Sequence, residues 1–301
     1  MMSKVFSLPG KLPQYPKAPL YRVSKYRTFS PRVEEAKAEF DARVKRCKEI
    51  FRIRGEPEDR GTQVVFRDGT KVLEVYRPSD SFWWTDSEVA YREEAPKGVK
   101  LPGDEEARGI ALKHMGELGL EPKYARIVSV TRTMVAISEA ERKERPILVD
   151  TEVHINFSFW LDDYPVMGPG AKIRLSTVED GRISEFLWFW REPFREKEVE
   201  IIDPEEALAR LTREQRFAHL TSDEIRISLK EMRFGYYALP PFGFQRFLVP
   251  VYEVRGIEET RLLGRRDVIF YTPAMELPPE TIKRMGFADR PDITRLLPST
   301  K

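Results

Sequence analysis

Thr151–Arg191 reads TEVHINFSFWLDDYPVMGPGAKIRLSTVEDGRISEFLWFWR, and the architecture expected of the chain turns on it. From Val153 to Phe159, the apolar Val153, Ile155, Phe157 and Phe159 alternate with His154, Asn156 and Ser158. That period of two is the mark of a half-buried strand. Lys172–Val178 alternates again, with Ile173 and Leu175 set between Lys172, Arg174 and Ser176. Asp180-Gly181 supplies a hairpin turn, because glycine tolerates positive φ and aspartate bonds its own backbone. Ile183–Trp190 returns as a strand that is apolar on both faces, through Phe186, Trp188 and Trp190 and through Ile183, Leu187 and Phe189. Such a strand is central, or covered on its second face by another element.

Composition bounds the rest. The 301 residues allow two or three domains, and 41% hydrophobic residues suffice for real cores, which excludes a chain disordered throughout. Lys+Arg 51 nearly balance Asp+Glu 49, so charge alone gives no reason to expect a nucleic-acid or membrane partner. One cysteine, Cys47, excludes an intramolecular disulfide and reads as a small buried thiol on a helix. No stretch approaches the roughly 18 consecutive apolar residues of a membrane helix, so no membrane insertion is expected. Residues 1–29 contain Pro9, Pro13, Pro16 and Pro19 and no signal-like apolar core; they read as an extended surface segment. The chain as given is expected to be cytoplasmic, or exported if a native signal has been removed.

Working outward, one order of elements recurs. A helix after Ser30-Pro31 carries Val33, Ala36, Phe40, Val44, Cys47 and Phe51 on one stripe and ends at Gly55. Strands follow at Gln63–Phe66, Lys71–Tyr76 and Ser81–Tyr91. A second helix opens at Leu101-Pro102-Gly103-Asp104 and ends at Gly119; Tyr124–Ile137 is a strand, and Ser138–Pro146 a solvated excursion before the opening stretch. A third helix opens at Asp203-Pro204-Glu205-Glu206, close to a capping box, before strands at Ile225–Leu239, Arg246–Arg255 and Arg266–Tyr271. SPRVEEA, LPGDEEA and DPEEA open the three helices alike. The reading is an α+β protein of tandem units, each a helix on a meandering antiparallel sheet, at 30–100, 101–200 and 201–275, with an N-terminal segment at 1–29 and a tail at 276–301.

WLDDYPVMGPGAKIRLSTVEDGRISEF resembles the repeat of the YcdB/YcdC-like and PepSY-like modules. Phe247-Leu248-Val249-Pro250-Val251-Tyr252 resembles a strand of the same modules and of YycI-like regulatory domains. The resemblance spans about 102–272. It implies cystatin-like α+β units used for binding, inhibition or regulation rather than catalysis.

Candidate chemistry is sparse. Glu152, His154, Asn156 and Ser158 share a strand face, where residues two apart stand about 7 Å from each other; they read as a polar row, with a Glu/His pair sharing a proton or metal as the sharper alternative. Asp162-Asp163 reads as turn chemistry. Gly168-Pro169-Gly170 lacks the phosphate-loop patterns. With 3 His and one Cys, no zinc site is expected, and no cofactor or other metal. The aromatic clusters are sheet core in the first instance, with binding of a partner as the functional reading. Phe82-Trp83-Trp84 is the sharpest of them: Phe82 and Trp84 share one strand face and Trp83 takes the other. Phe82, Trp83, Trp84, Trp160, Trp190 and Arg191 are the candidate partner-binding residues; Arg195 and Arg233 are further candidate anchors for a carboxylate. The expected role is non-enzymatic: engaging a protein or peptide partner, or a second copy of the chain, through sheet edges and aromatic patches. The alternatives are an enzyme with a small apolar substrate in a sheet–helix pocket near Trp188 and Trp190, and a single-strand nucleic-acid binder.

Overall fold

The structure, a computed structural model, describes residues 15–23, 34–90, 100–121, 123–137, 147–213, 225–260 and 264–278. In chain order these form β1 (Lys17–Arg22), α1 (Glu34–Phe51), β2 (Pro57–Asp59), β3 (Gln63–Asp68), β4 (Lys71–Tyr76), β5 (Phe82–Asp86), α2 (Asp104–Glu117), β6 (Ala125–Ile137), β7 (Ile147–Leu161), β8 (Tyr164–Met167), β9 (Lys172–Thr177), β10 (Ile183–Phe189), β11 (Phe194–Glu200), α3 (Pro204–Arg213), β12 (Ile225–Tyr237), β13 (Phe247–Thr260) and β14 (Gly264–Pro273). Strand makes up 52% and helix 19% of them, so sheet dominates. The chain divides into two compact units. The larger comprises 23–192 with 238–246; the smaller comprises 1–22, 193–237 and 247–301.

In the larger unit the strands lie side by side in the order β7-β9-β10-β5-β4-β3-β2, with β6 on the other edge of β7. β8 folds back on the end of β7 across the Asp162-Asp163 turn, where Asp162 takes a φ of 51°, so the turn reading of that pair holds. The opening stretch thus supplies three neighbouring strands. Between β9 and β10 the chain makes a 3₁₀ turn, Glu179–Gly181, with Gly181 at φ 74°. β10 is central: Phe186 faces Leu175 of β9 on one edge and Trp84 of β5 on the other.

That last pairing corrects the expected α+β arrangement of tandem cystatin-like units. Strands near 63–86 and near 151–190 were expected in separate sheets, each under its own helix. Instead β5 and β10 pair directly, in a sheet-rich fold. The physical reason is that a period of two marks a strand and its faces but not its neighbour, which long-range register decides. The repeated helix openings are local capping chemistry: at α3, Asp203 Oδ1 accepts from the Glu205 N–H at 2.8 Å. Expectations at residues 1–14, 24–33, 91–99, 122, 138–146, 214–224, 261–263 and 279–301 lie outside the described residues.

One face of this sheet is apolar and is covered by the helices. Phe40, Cys47 and Phe51 of α1 are buried, at spacings of seven and four residues that return to one helix face. Phe51 stacks on Trp84 at 5.2 Å, and Phe82 lies parallel to Trp188 at 6.2 Å. α2 buries Ala107, Ala111 and Met115, and small side chains let a helix lie close to its neighbours. Phe157 and Trp188 are 3% and 9% exposed, which makes both core residues.

In the smaller unit β12, β13 and β14 form a long meander, and β1 pairs with β11 along its length and with β13 through Tyr21 and Arg22. The expected extended N-terminal segment therefore contributes a strand. Two fully buried tyrosines find carbonyl acceptors: Tyr236 donates to Pro19 O at 2.8 Å and Tyr252 to Ile202 O at 2.9 Å. No described helix is long and apolar enough to cross a membrane.

Gly170 lies where backbone meets backbone within the larger unit: a Cβ there would overlap Leu239 O and press on the Arg191 guanidinium. Gly170→Ala is expected to cost about 3 kcal/mol, the upper range for overpacking. Gly109→Ala, on the exposed side of α2 with open space around it, should instead gain about 0.5–1 kcal/mol. Urea denaturation of both variants checks this; a Gly170→Ala midpoint equal to that of the parent would refute the close approach.

Candidate functional site

The second face of the larger unit's sheet is built around a carboxylate. Glu185 sits in the middle of β10 and is 5% exposed. Burying a charge is costly unless it is paired and hydrogen-bonded. Here the Arg174 guanidinium of β9 meets it through Nε at 3.0 Å and Nη2 at 2.7 Å. The Trp83 indole N–H of β5 donates to it at 2.8 Å, and the Ser176 hydroxyl at 3.2 Å. Three strands converge on one carboxylate because Ser176 is cross-strand from Glu185, while Arg174 and Trp83 flank Leu187.

The chain of contacts continues. His154 Nδ1 lies 2.7 Å from Ser176 Oγ and Nε2 lies 2.5 Å from Thr133 Oγ1. With the single Ser176 proton on Glu185, the imidazole N–H is on Nδ1, and Nε2 accepts from Thr133. Burial, then the Arg174 charge, pushes the imidazole below its ordinary 6.5, against an opposing pull from Glu185, so His154 is neutral at pH 7. Next to it Asn156 donates to Thr131 Oγ1 at 3.1 Å.

Beside this polar row runs an aromatic strip. Tyr76 meets Phe189 edge-on at 5.7 Å, and the Lys172 ammonium lies 5.8 Å from the Phe189 ring centre. Tyr76 donates to Glu74 at 2.8 Å, and Gln63 donates to the same oxygen at 3.1 Å. Burial first, then Arg174, lowers the Lys172 pKa, with Glu185 opposing. Trp83 and Phe189 are half-buried, and the Arg174 side chain is 39% exposed.

This arrangement is not a serine-histidine relay. In a serine-histidine relay the imidazole takes the hydroxyl proton and a carboxylate orients the imidazole. Here the serine stands between carboxylate and imidazole and is fully buried. Both imidazole nitrogens are engaged, by Ser176 and Thr133, in keeping with the polar row and not with the alternative of a Glu152/His154 pair. Among the described residues no three His, Cys, Asp or Glu side chains are grouped to hold a metal ion. A groove of about 640 Å³ lies between α1 and the strands by Pro57 and Phe66, and one of about 520 Å³ beside α2 at His114 and Glu117. Neither gathers Glu152, His154, Asp162, Trp188 or Trp190, as the enzyme reading required.

The candidate residues separate. Phe82 and Trp84 are 3% and 8% exposed on the helix-covered face, and Trp83 alone takes the other. Tyr15 and Tyr21 of the N-terminal segment meet Phe234 and Tyr236 in the smaller unit. Trp190 is buried and stacked on Phe159 at 3.7 Å; Trp160 is half-buried with the Arg126 guanidinium 5.4 Å from its ring. Arg191 is 2% exposed and donates to Leu239 O and Pro240 O at 2.8 Å and to Gly243 O at 2.6 Å. Burial lowers its pKa to about 10. It clamps the 238–246 excursion. Arg195 pairs with Glu198, and Arg233 with Glu253. Sequence reasoning missed Glu185, Arg174, Ser176, Lys172 and Phe189 as a group. The signal was a lone carboxylate inside the largely apolar strand Ile183–Trp190.

No family model and no curated protein matches the chain. Among solved structures, an uncharacterized protein from Eubacterium rectale is similar over 91% of this chain and 90% of its own, at 9% identity and a TM-score of 0.40. A likeness at that level bears on neither fold nor function.

Two outcomes follow from the geometry. Because His154 binds its proton more weakly folded than unfolded, the unfolded chain holds more protons below pH 6.5, and stability falls as pH drops from there towards the lowered folded value. His154→Gln should flatten that acid slope of the melting temperature while leaving the plateau above pH 7 little changed; an unaltered slope would contradict the assignment. Arg191→Met removes the guanidinium from three half-buried carbonyls, of which Pro240 O keeps the Gly243 N–H, and should cost about 2–3 kcal/mol, with Arg191→Lys recovering only part because it lacks the fork. Hydrogen exchange at 238–246 should rise in both; protection equal to the parent's would show that the clamp is not Arg191.

Proposed function

We propose that the chain is a non-enzymatic binding protein. Its binding surface is the face of the larger unit's sheet around Trp83, Lys172, Arg174, Leu187 and Phe189, and its ligand is a peptide segment of a protein partner. One observation carries the reading. On this face His154, Ser176 and Glu185 are tied into one chain of hydrogen bonds and Tyr76 is tied to Glu74, whereas Trp83, Phe189, Lys172 and Arg174 keep exposed surface. Rigid aromatics beside oriented cations are what recognition surfaces use. The resemblance of Trp160–Phe186 to modules that bind or regulate points the same way. Near-balanced charge and an Arg174 guanidinium held by a carboxylate both weigh against single-strand nucleic acid as the ligand.

The test is selection of displayed peptides on the immobilised chain, repeated on Phe189→Ser. The recovered peptides should bind the parent chain at least about tenfold better than the variant, the loss expected when one central anchor is removed. Peptides that bind both equally, or self-association that blocks selection in the parent and not in the variant, would replace this reading.

A further inference from the structure

Lys172 distinguishes one end of this face. Its cross-strand neighbours are Ser158 on β7 and Phe189 on β10, and Arg174 lies two residues along the same strand. Among the described residues no carboxylate forms an ion pair with Lys172. The nearest acid on the face, Glu185, already receives Arg174, Trp83 and Ser176. The other acids of the face are distant, Glu58 on β2 lying beyond Glu74. Glu74 lies three strands away, about 14 Å, and already accepts from Tyr76 and Gln63. Glu152 lies six residues along β7 from Ser158, about 20 Å. Both separations exceed the roughly 8 Å over which exposed charges interact at physiological salt. The Lys172 end therefore has two cations for one committed carboxylate, with the Ser158 hydroxyl directly opposite. Apolar surface begins one strand over, at the half-buried Phe189 beside the buried Leu187, and continues to the half-buried Trp83 on the strand after that.

We propose that the segment received here carries a carboxylate side chain two residues from an aromatic or large aliphatic one, the acid on Lys172 and the apolar group over Phe189, Leu187 and Trp83. The spacing follows from the sheet. Lys172 stands about 5 Å from the β10 row and about 10 Å from the β5 row. In an extended peptide the side chains that project to one side are about 7 Å apart, at i and i+2, which falls between those distances. Adjacent positions point to opposite sides and do not fit. This inference rests on the peptide-binding reading above and adds the chemistry of the peptide.

The test uses three capped tripeptides, Glu-Ala-Phe, Lys-Ala-Phe and Glu-Ala-Ala, titrated into the full chain labelled with ¹⁵N at tryptophan. The Trp83 indole N–H resonance is assigned with Trp83→Phe. Glu-Ala-Phe at millimolar concentration should move that resonance, and added salt should weaken the effect. The other two peptides, and Glu-Ala-Phe on Lys172→Gln, should bind at least about tenfold more weakly. Lys172 is exposed, so Lys172→Gln should fold, and its unperturbed spectrum is the control. If Lys-Ala-Phe binds as well as Glu-Ala-Phe, or Lys172→Gln binds as the parent does, the acidic partner is wrong while peptide binding on this face stands. If no tripeptide moves the Trp83 resonance, the proposal falls, and the display selection separately decides the broader reading.

Discussion

The pairing of β10 on both of its edges is the constraint on which the larger unit depends. A strand between two others must present each face over the full width of its neighbours. One face of β10 carries Phe186 and Trp188 into the layer under α1 and α2, and a charge there would have no partner. The other face carries Glu185, tolerable only because β9 and β5 bring Arg174, Ser176 and Trp83 to it. A one-residue slip of β10 would exchange the faces, placing the carboxylate among Trp84, Phe51 and Phe82 and the tryptophan in the polar row. The carboxylate thus fixes the register that the apolar residues alone would leave free.

The smaller unit uses the same device. Glu253 of β13 is 2% exposed and accepts from Arg233 of β12 at 2.7 Å, from Arg255 at 2.6 Å and from Tyr271 of β14 at 3.1 Å. The three residues Arg233, Glu253 and Tyr271 are directly cross-strand. In both units a buried acid on a central strand takes donors from the strands on either side. Such pairs are weak evidence for extra stability, since desolvation offsets much of the attraction. Their effect is on which alignment of strands is reachable.

Much of this was legible from local pattern. Alternation at Val153–Phe159 and Lys172–Val178 marked strands and their faces, and the prediction that Trp83 would face away from Phe82 and Trp84 follows from pleating alone. What local pattern could not show was the neighbour of each strand. Trp83 and Glu185 are 102 residues apart, and nothing in either segment names the other. Repeated helix openings suggested repeated units because capping chemistry looks alike wherever a helix begins. Arg191 was read as available to a ligand for the same reason: its acceptors are backbone carbonyls near residue 240, and a carbonyl has no signature in a sequence.

The Arg191 clamp has a consequence for how the chain can be made and inherited. Its acceptors lie from 48 to 52 residues downstream, across a stretch that belongs to the smaller unit. On the ribosome, residues 23–192 emerge with that guanidinium still unmatched, and the larger unit is finished only when Gly243 has followed. The smaller unit starts earlier and ends later, so each is interrupted by the other along the chain. Lengthening a loop already of that size costs little extra free energy, about 0.6 kcal/mol per doubling, because the entropy grows only with the logarithm of length. It does mean that no single uninterrupted run of codons encodes either unit, and the pair is transmitted, duplicated or lost together.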